Sequence, residues 1–104
     1  MRKIATRMRL KPGRLDEYRR RHDALWPELE ALLKSCGISD YSIHHDPETN
    51  ALFAVMWCAT PERLDDLPAH PVMRRWWGSM APLMEVNPDK SPVSVALDTL
   101  FHLA

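Results

Sequence analysis

The sequence predicts an α+β domain in which two main helices cover one side of a four-stranded antiparallel sheet. Two patterns indicate this architecture: some segments alternate apolar and polar residues, as strands do, and others repeat apolar residues every three or four positions, as helices do. These segments follow one another in the order strand, helix, strand, strand, helix, strand. That order defines the ferredoxin-like β-α-β-β-α-β arrangement.

The first strand and the first helix occupy the N-terminal third of the chain. Residues 3–10 alternate between a mainly apolar and a mainly polar set, which predicts a strand with one covered face. An apolar stripe then predicts a helix over residues 15–35, with Gly37 as its stop. Because proline lacks an N–H group and crowds the preceding turn, we expect that helix to kink or restart at Pro27.

A hairpin is predicted next. Residues 38–46 alternate between polar and less polar side chains, and residues 51–58 are apolar on both faces. We therefore expect residues 51–58 to form a central strand, joined to the preceding strand by the turn residues 47–50. Thr60 is expected to cap a short helix over residues 61–67.

The last third supplies the second main helix and the last strand. His70 precedes a proline at the expected helix start, and the helix is predicted over residues 72–84 with a late interruption at Pro82. A turn-rich loop follows at residues 87–92. Beyond it, residues 93–103 alternate in a pattern that predicts the fourth strand.

Size and charge limit the possible functions. The 104 residues are enough for one domain, residues 1–104, and the 14 basic side chains balance the 14 acidic ones. No net field therefore attracts nucleic acid or an anionic membrane. The longest apolar run, residues 51–59, is about half as long as a bilayer-spanning helix requires. We expect a small, roughly neutral partner molecule.

The cysteines indicate a compartment. Cys36 and Cys58 are isolated from each other in sequence and form no redox or zinc motif, and no secretory segment is recognised. We interpret them as buried, reduced thiols of a cytoplasmic protein.

One face of the predicted sheet lacks a cover from the helices. That face combines Arg7, Trp57 and alternate residues of the last strand, which together are too mixed and partly too apolar for open water. We expect a second copy of the chain to cover this face or an edge of the sheet, which predicts a homodimer.

Two polar aromatic residues lie within the apolar stripe of the first helix. The stripe consists of Leu15, Tyr18, His22, Leu25, Leu29 and Leu32. Tyr18 and His22 could be core residues whose polar atoms find partners nearby, and spacing alone favours this interpretation. They could instead line a half-buried pocket in which an imidazole, with its reference pKa near 6.5, transfers a proton near neutral pH.

A pair of adjacent tryptophans is the second candidate feature. Trp77 falls in a helical stripe with Met73, Met80 and Met84, whereas Trp76 flanks that stripe. The pair could fill the core or form the corner of a cavity. Indole faces suit the C–H faces of a sugar ring, and tyrosine hydroxyls and imidazole suit its hydroxyl groups, so a deoxy sugar would match such a cavity.

Other kinds of site are poorly supported. His44 and His45 are neighbours on a strand and face opposite ways, so they are not expected to share a metal ion. With only three glycines there is no glycine-rich phosphate loop, and no serine or cysteine nucleophile motif occurs.

Several motifs spread over nearly the whole chain resemble those of the L-rhamnose mutarotases, small proteins that interconvert the anomers of a deoxy sugar. The matching stretches are Glu17-Tyr18 to His22, Trp26-Pro27-Glu28-Leu29-Glu30, Tyr41, Arg75-Trp76-Trp77, Asn87-Pro88-Asp89 and Ser91-Pro92-Val93-Ser94. The resemblance implies a dimeric α/β-barrel type of ferredoxin-like fold, a sugar isomerase, and no metal or organic cofactor. It also implies that His22 is the proton donor and that Tyr18, Tyr41, Trp76 and Trp77 contact the sugar. His44 is a departure, since relatives tend to carry an aromatic residue there.

Mutarotation requires only proton transfers. The ring oxygen gains a proton, the anomeric hydroxyl loses one, the ring opens, and closure yields the other anomer. We assign His22 as general acid at the ring oxygen, with a tyrosine hydroxyl or a water relaying the second proton. The identity of the base stays open. Two alternatives are a non-catalytic sugar-binding module and a cofactor-free oxygenase of the related dimeric α/β barrels. Fold analogy alone does not choose among these three.

Overall fold

A computed structural model describes residues 2–104 and contains one sheet with helices packed against it. The strands are β1 (Arg2–Arg9), β2 (Ile38–His45), β3 (Ala51–Cys58) and β4 (Val95–Ala96). The α-helices are α1 (Leu15–Asp23), α2 (Pro27–Ser35) and α3 (Pro71–Met80), and two 3₁₀ helices span Pro61–Ala69 and Ala81–Leu83.

The sheet has the order β2-β3-β1-β4, and every neighbouring pair is antiparallel. The pairing of β1 with β3 is continuous, from Arg2 opposite Cys58 to Arg9 opposite Ala51. The predicted ferredoxin-like arrangement is confirmed, and so is the central position of β3. The two central strands, β3 and β1, therefore form the part of the sheet against which the helices pack.

The first predicted helix is divided at the proline, as expected. α1 ends at Asp23 and α2 begins at Pro27, with Trp26 in an extended conformation (φ −62°, ψ 129°) between them. Proline is tolerated at the first position of a helix because that N–H group would lack an intrahelical partner anyway. The restart leaves Tyr18 and His22 together on α1, separate from the helix that follows.

The predicted fourth strand is wrong in its extent. Only Val95–Ala96 pair with β1, and residues 97–104 form no regular secondary structure. Three large apolar residues of this segment are almost fully exposed: Leu100 (95%), Phe101 (81%) and Leu103 (81%). An alternating pattern stabilises a strand by burying one face, and within this chain nothing buries it here.

The segment that begins at Thr60 differs from the prediction in two respects. Thr60 does not cap a helix, because its hydroxyl donates to the backbone oxygen of Cys36 at 3.0 Å. The segment after it is a 3₁₀ helix extending to Ala69, with Pro68 inside it. The tighter 3₁₀ form suits a short proline-containing connector.

The second main helix begins one residue before its predicted start and ends at Met80 rather than at residue 84. The Nδ1 atom of His70 accepts a hydrogen bond from the Val72 N–H at 3.3 Å, which confirms its role at the helix start. α3 ends at Met80, just before Pro82, and a short 3₁₀ turn replaces it. The predicted late interruption is therefore confirmed.

The core lies between the helices and the inner face of the sheet. Its main cluster of buried residues comprises Leu10, Tyr18, Leu29, Leu52, Met73, Trp76, Met80, Leu83 and Met84. A smaller cluster contains the two free cysteines with Ile38. Within residues 2–104, no helix combines the length and apolarity that crossing a membrane would demand.

Candidate active site

A cavity of about 1070 Å³ lies between the helices and the inner face of the sheet. Small-molecule sites in proteins typically occupy roughly 300–1,000 Å³, so this cavity is ample for a monosaccharide. Its polar and aromatic lining includes Tyr18, His22, Tyr41, His45, Trp76 and Trp77. All five residues singled out in the sequence as candidate site residues therefore border one space.

The imidazole of His22 is held by its own helix. Its Nδ1 atom lies 3.0 Å from the backbone oxygen of Tyr18, one helical turn earlier. A carbonyl oxygen can only accept, so Nδ1 carries the hydrogen of the neutral ring and donates it. The Nε2 atom of the neutral ring consequently retains a lone pair with which it can accept a proton.

Aromatic rings enclose His22 on two sides. The phenol ring of Tyr18 stacks on the imidazole, with centroids 4.3 Å apart and planes 29° apart. The indole of Trp76 meets it edge to face at 5.3 Å and 85°. Trp26 meets Trp76 in the same manner at 5.2 Å. This packing fixes the plane of the imidazole beside the cavity.

The surroundings determine which protonation states prevail. Burial lowers the pKa of His22, and the hydrogen bond to the Tyr18 backbone and the charge of Asp23 offset this only in part. Burial raises the pKa of the Tyr18 hydroxyl, and the proximity of Tyr41 raises it further. Near neutral pH the site thus contains a neutral imidazole and a protonated phenol.

Tyr41 reaches the cavity because β2 contains an irregularity. The pairing of β2 with β3 shifts between Ser39 and Ser42, and Asp40 adopts a positive φ of 48°. Such a bulge interrupts the alternation of a strand and re-aims the side chains beyond it. Ile38 therefore lies in the core, and Tyr41 and the alternate residues after it border the cavity. Tyr41 as a whole is 41% exposed, but burial around its hydroxyl raises the pKa of that group too.

The two tryptophans have exchanged the places that the sequence predicted. Trp76, expected to flank the stripe, is only 7% exposed and belongs to the core, whereas Trp77 is half-buried. Both residues satisfy helical spacing with Met73 and Met80. The buried stripe of α3 includes Trp76 with these methionines, so Trp77 lies to one side of it, still bordering the cavity.

Sequence reasoning missed two contributors to the lining. One is His45, whose Nε2 atom lies 3.1 Å from the Oδ1 atom of Asn50 and which was considered only as a metal ligand. The other is the loop after α3, where Asn87 donates to the Ser91 hydroxyl at 3.1 Å and Ser91 also borders the cavity. Turn-forming residues marked that loop, but no sequence signal indicated that it folds over the cavity.

The described residues 2–104 contain no cluster of three or more histidine, cysteine, aspartate or glutamate side chains arranged to hold a metal ion. His44 is exposed and lies 3.0 Å from the Ser42 hydroxyl, whereas His45 borders the cavity. These adjacent histidines face opposite ways, as the sequence indicated.

Comparison with known proteins assigns the chain to a family. A model of the L-rhamnose mutarotases matches residues 3–103. The chain belongs to the L-rhamnose mutarotase family. Two proteins named L-rhamnose mutarotase, from Sinorhizobium fredii and Rhizobium meliloti, are 58% and 57% identical to it, and the alignments cover 100% and 99% of both chains.

A solved structure agrees with this assignment. The crystal structure of an L-rhamnose mutarotase from Formosa agariphila is 43% identical, covers 100% of both chains and superposes with a TM-score of 0.94. The resemblance noted in the sequence and the predicted fold class are both confirmed. Mutarotases of this family are isomerases that act on a sugar, and the chain is a member of that class.

Proposed function

We propose that this chain interconverts the α and β anomers of L-rhamnopyranose by acid/base-catalysed opening and closing of the ring. The observation that carries the proposal is the state of His22 beside the cavity: its Nδ1 atom is engaged by the Tyr18 backbone, and its Nε2 atom is available for proton transfer. Family membership supplies the substrate class.

The proposed reaction needs one proton to leave the anomeric hydroxyl and one to reach the ring oxygen. Both oxygens are bonded to the same carbon, so one nitrogen can serve them in turn. The neutral His22 ring takes the proton of the anomeric hydroxyl at Nε2. The resulting imidazolium gives that proton to the ring oxygen as the bond between C1 and the ring oxygen breaks. Rotation about C1–C2 and the reverse steps yield the other anomer.

This scheme retains His22 as the proton donor and also makes it the resting base. A positioned acid/base group typically contributes about 10² to 10⁴ in rate, which suffices because mutarotation already proceeds in water. Neither a metal ion nor an organic cofactor is needed for two proton transfers.

Four aromatic residues are proposed to hold the sugar. The hydroxyls of Tyr18 and Tyr41 stay protonated because burial raises the pKa of each, so they can donate to sugar oxygens. Trp76 is largely covered by its neighbours, including His22 and Trp26, and is expected to offer little of its surface. We therefore expect Trp77 to provide the larger apolar surface for the ring.

The activity is tested by anomer exchange in the purified protein. Magnetisation transfer between the two anomeric proton signals of L-rhamnose should show exchange faster than in buffer, and a panel of deoxy and ordinary hexoses should show the sugar preference. Binding without faster exchange would support a non-catalytic sugar-binding module instead. Oxygen consumption with an aromatic substrate would support the oxygenase.

We also propose that the working form is a homodimer formed by the outer face of the sheet. Surface scaling gives about 6,000 Å² for a compact monomer of this mass, whereas the chain exposes 7011 Å². The open cavity accounts for part of the excess. Apolar residues supply surface for the remainder. They are Phe53, Val55 and Trp57 on the outer face and the exposed C-terminal residues 100–103.

The dimer is tested by light scattering on the eluting protein. Val55 lies opposite Ala5 in the middle of the sheet, so Val55→Lys should yield a folded monomer. Ala31→Lys, which adds the same charge at an exposed position of α2, should leave the mass at that of two chains. A wild-type mass of one chain would contradict the proposal.

We further propose a cytoplasmic location, which the free, buried thiols of Cys36 and Cys58 support. Titration of the unfolded protein, purified without reductant, should detect both thiols. A disulfide in that material would contradict the proposed location.

A further inference from the structure

Arg21 joins the helix that carries His22 to the helix that carries Trp76. Its guanidinium Nη1 donates to the backbone oxygen of Ser79, at the end of α3, and its Nε donates to the Oε1 atom of Glu17 at 2.7 Å. Glu17 and Arg21 are one turn apart on α1, so the carboxylate holds the guanidinium in place for its contact with the other helix.

The acceptor, the backbone oxygen of Ser79, lies where a helix leaves its carbonyl groups without N–H donors. The last four carbonyls of an α-helix lack intrahelical N–H donors, and Ser79 is among the last four residues of α3. A cation at this end also interacts favourably with the helix dipole. Arg21 meets both needs from a neighbouring helix, and its side chain is about two-thirds covered, with 34% exposed.

The contact lies close to the aromatic ring that borders His22. Ser79 is three residues beyond Trp76, and its hydroxyl donates to the Trp76 backbone oxygen at 2.8 Å. The carbonyl of Ser79 is thus fixed relative to Trp76, and His22 is the residue after Arg21 on α1. A bond between Arg21 and Ser79 therefore constrains the separation of the two rings, which is 5.3 Å.

We propose that Arg21 is a positioning residue, which sets the distance and angle between the His22 imidazole and the Trp76 indole by linking α1 to the C-terminal end of α3. Its effect on the reaction rests on the proposed function, because it operates through His22. A planar guanidinium can donate to Glu17 and Ser79 at once, whereas the single ammonium of a lysine cannot match that fork.

Arg20 provides a matched control. It binds the other oxygen of the same carboxylate, Glu17 Oε2, but its side chain is 76% exposed and makes no recorded hydrogen bond to α3 within residues 2–104. Arg20→Met and Arg21→Met therefore remove the same charge and spare the same stem. Only the second removes the link between the helices.

The experiment compares these two variants with the wild type in two readouts. Arg21→Met should lower kcat for anomer exchange roughly tenfold to a hundredfold with a smaller change in KM, as expected for a misplaced catalytic group. Independently of activity, NMR should show a weaker ring-current shift of the His22 ring protons and a pKa of His22 closer to its ordinary value. Arg20→Met should change neither readout.

Each outcome has a distinct meaning. Unchanged kcat and unchanged His22 signals in Arg21→Met would overturn the positioning role, and so would equal effects in the two variants. If Arg21→Met fails to fold, Arg21→Lys replaces it and should give smaller changes in the same direction; wild-type values in Arg21→Lys would also overturn the role. Full activity in a His22→Ala variant would refute the proposed function but not the positioning role of Arg21. The NMR comparison that tests the positioning role does not depend on chemistry at His22.

Discussion

His22 on α1 and Trp76 on α3 meet edge to face, with ring centroids 5.3 Å apart, although 53 residues separate them in the chain. The sequence placed each of these residues on a helix but had no means of relating the two. Their contact turns two separate candidate residues into one wall of a cavity. The environment of His22 therefore depends on both helices at once, and its properties can be tested through either.

Replacing His22 should remove catalysis and preserve the fold. The ring is half-buried, and its Nδ1 bond is to its own helix, so His22→Gln leaves the surrounding packing largely in place. We expect exchange of the L-rhamnose anomers to fall about 10² to 10⁴-fold, toward the buffer rate. Magnetisation transfer measures the rate, and thermal unfolding checks the fold. His70→Asn, which keeps a helix-capping side chain at an exposed position, is the control and should be fully active. A fully active His22→Gln would remove the proposed acid/base.

The two tryptophans should have separable effects. Trp76→Ala opens the packing against His22, so we expect kcat to fall, together with a loss of stability of about 3–5 kcal/mol from the buried aromatic. Trp77 is less buried and borders the cavity, so Trp77→Ala should mainly raise KM. Steady-state exchange kinetics on both variants distinguish the two outcomes. An effect of Trp77→Ala on kcat alone would assign it to the chemical step.

The sequence allowed most of the fold to be predicted because its patterns are local. Period-two and helical spacing, with the prolines at 27 and 82, located the elements and the breaks between them. The bulge at Asp40 escaped prediction, since it depends on how β2 pairs with β3. The fourth strand was overestimated because an alternating pattern indicates a strand only where something covers one face. The order of burial of Trp76 and Trp77 depended on the rotation of α3, which spacing alone left open.

Acidification should reduce activity and stability for the same reason. Burial lowers the pKa of His22 in the folded protein below its ordinary 6.5. As the pH falls below about 6.5, the unfolded chain binds a proton that the folded chain does not, so stability decreases until the folded pKa is passed. Activity falls through the lower, folded pKa because the resting ring must be neutral. The other titratable and charged groups near His22 are Tyr41 and His45, which line the same cavity, and Asp23 and Arg19, which lie on α1 with it.

The measurement is the pH dependence of both quantities, with the wild type compared against His22→Gln. The difference in free energy of unfolding between the two proteins should change with pH only near and below the ordinary histidine pKa. The rate of catalysed exchange, corrected for the buffer, should show a midpoint more acidic than that of free histidine. A midpoint above the ordinary value would contradict a neutral resting imidazole.

Two glycines with similar backbone conformations should respond differently to the same substitution. Gly13 and Gly37 have φ values of 77° and 82°, so alanine at either position pays the left-handed penalty of about 1–2 kcal/mol. A Cβ atom at Gly13 would meet nothing within 4 Å, whereas at Gly37 it would lie 3.0 Å from the Thr60 hydroxyl and 3.1 Å from the Ala59 Cβ atom. The Thr60 hydroxyl also donates a hydrogen bond to the Cys36 carbonyl, so moving it to relieve the clash would disturb that bond. Denaturant unfolding should therefore show Gly37→Ala to be less stable than Gly13→Ala, and equal stabilities would mean that the backbone penalty alone determines both.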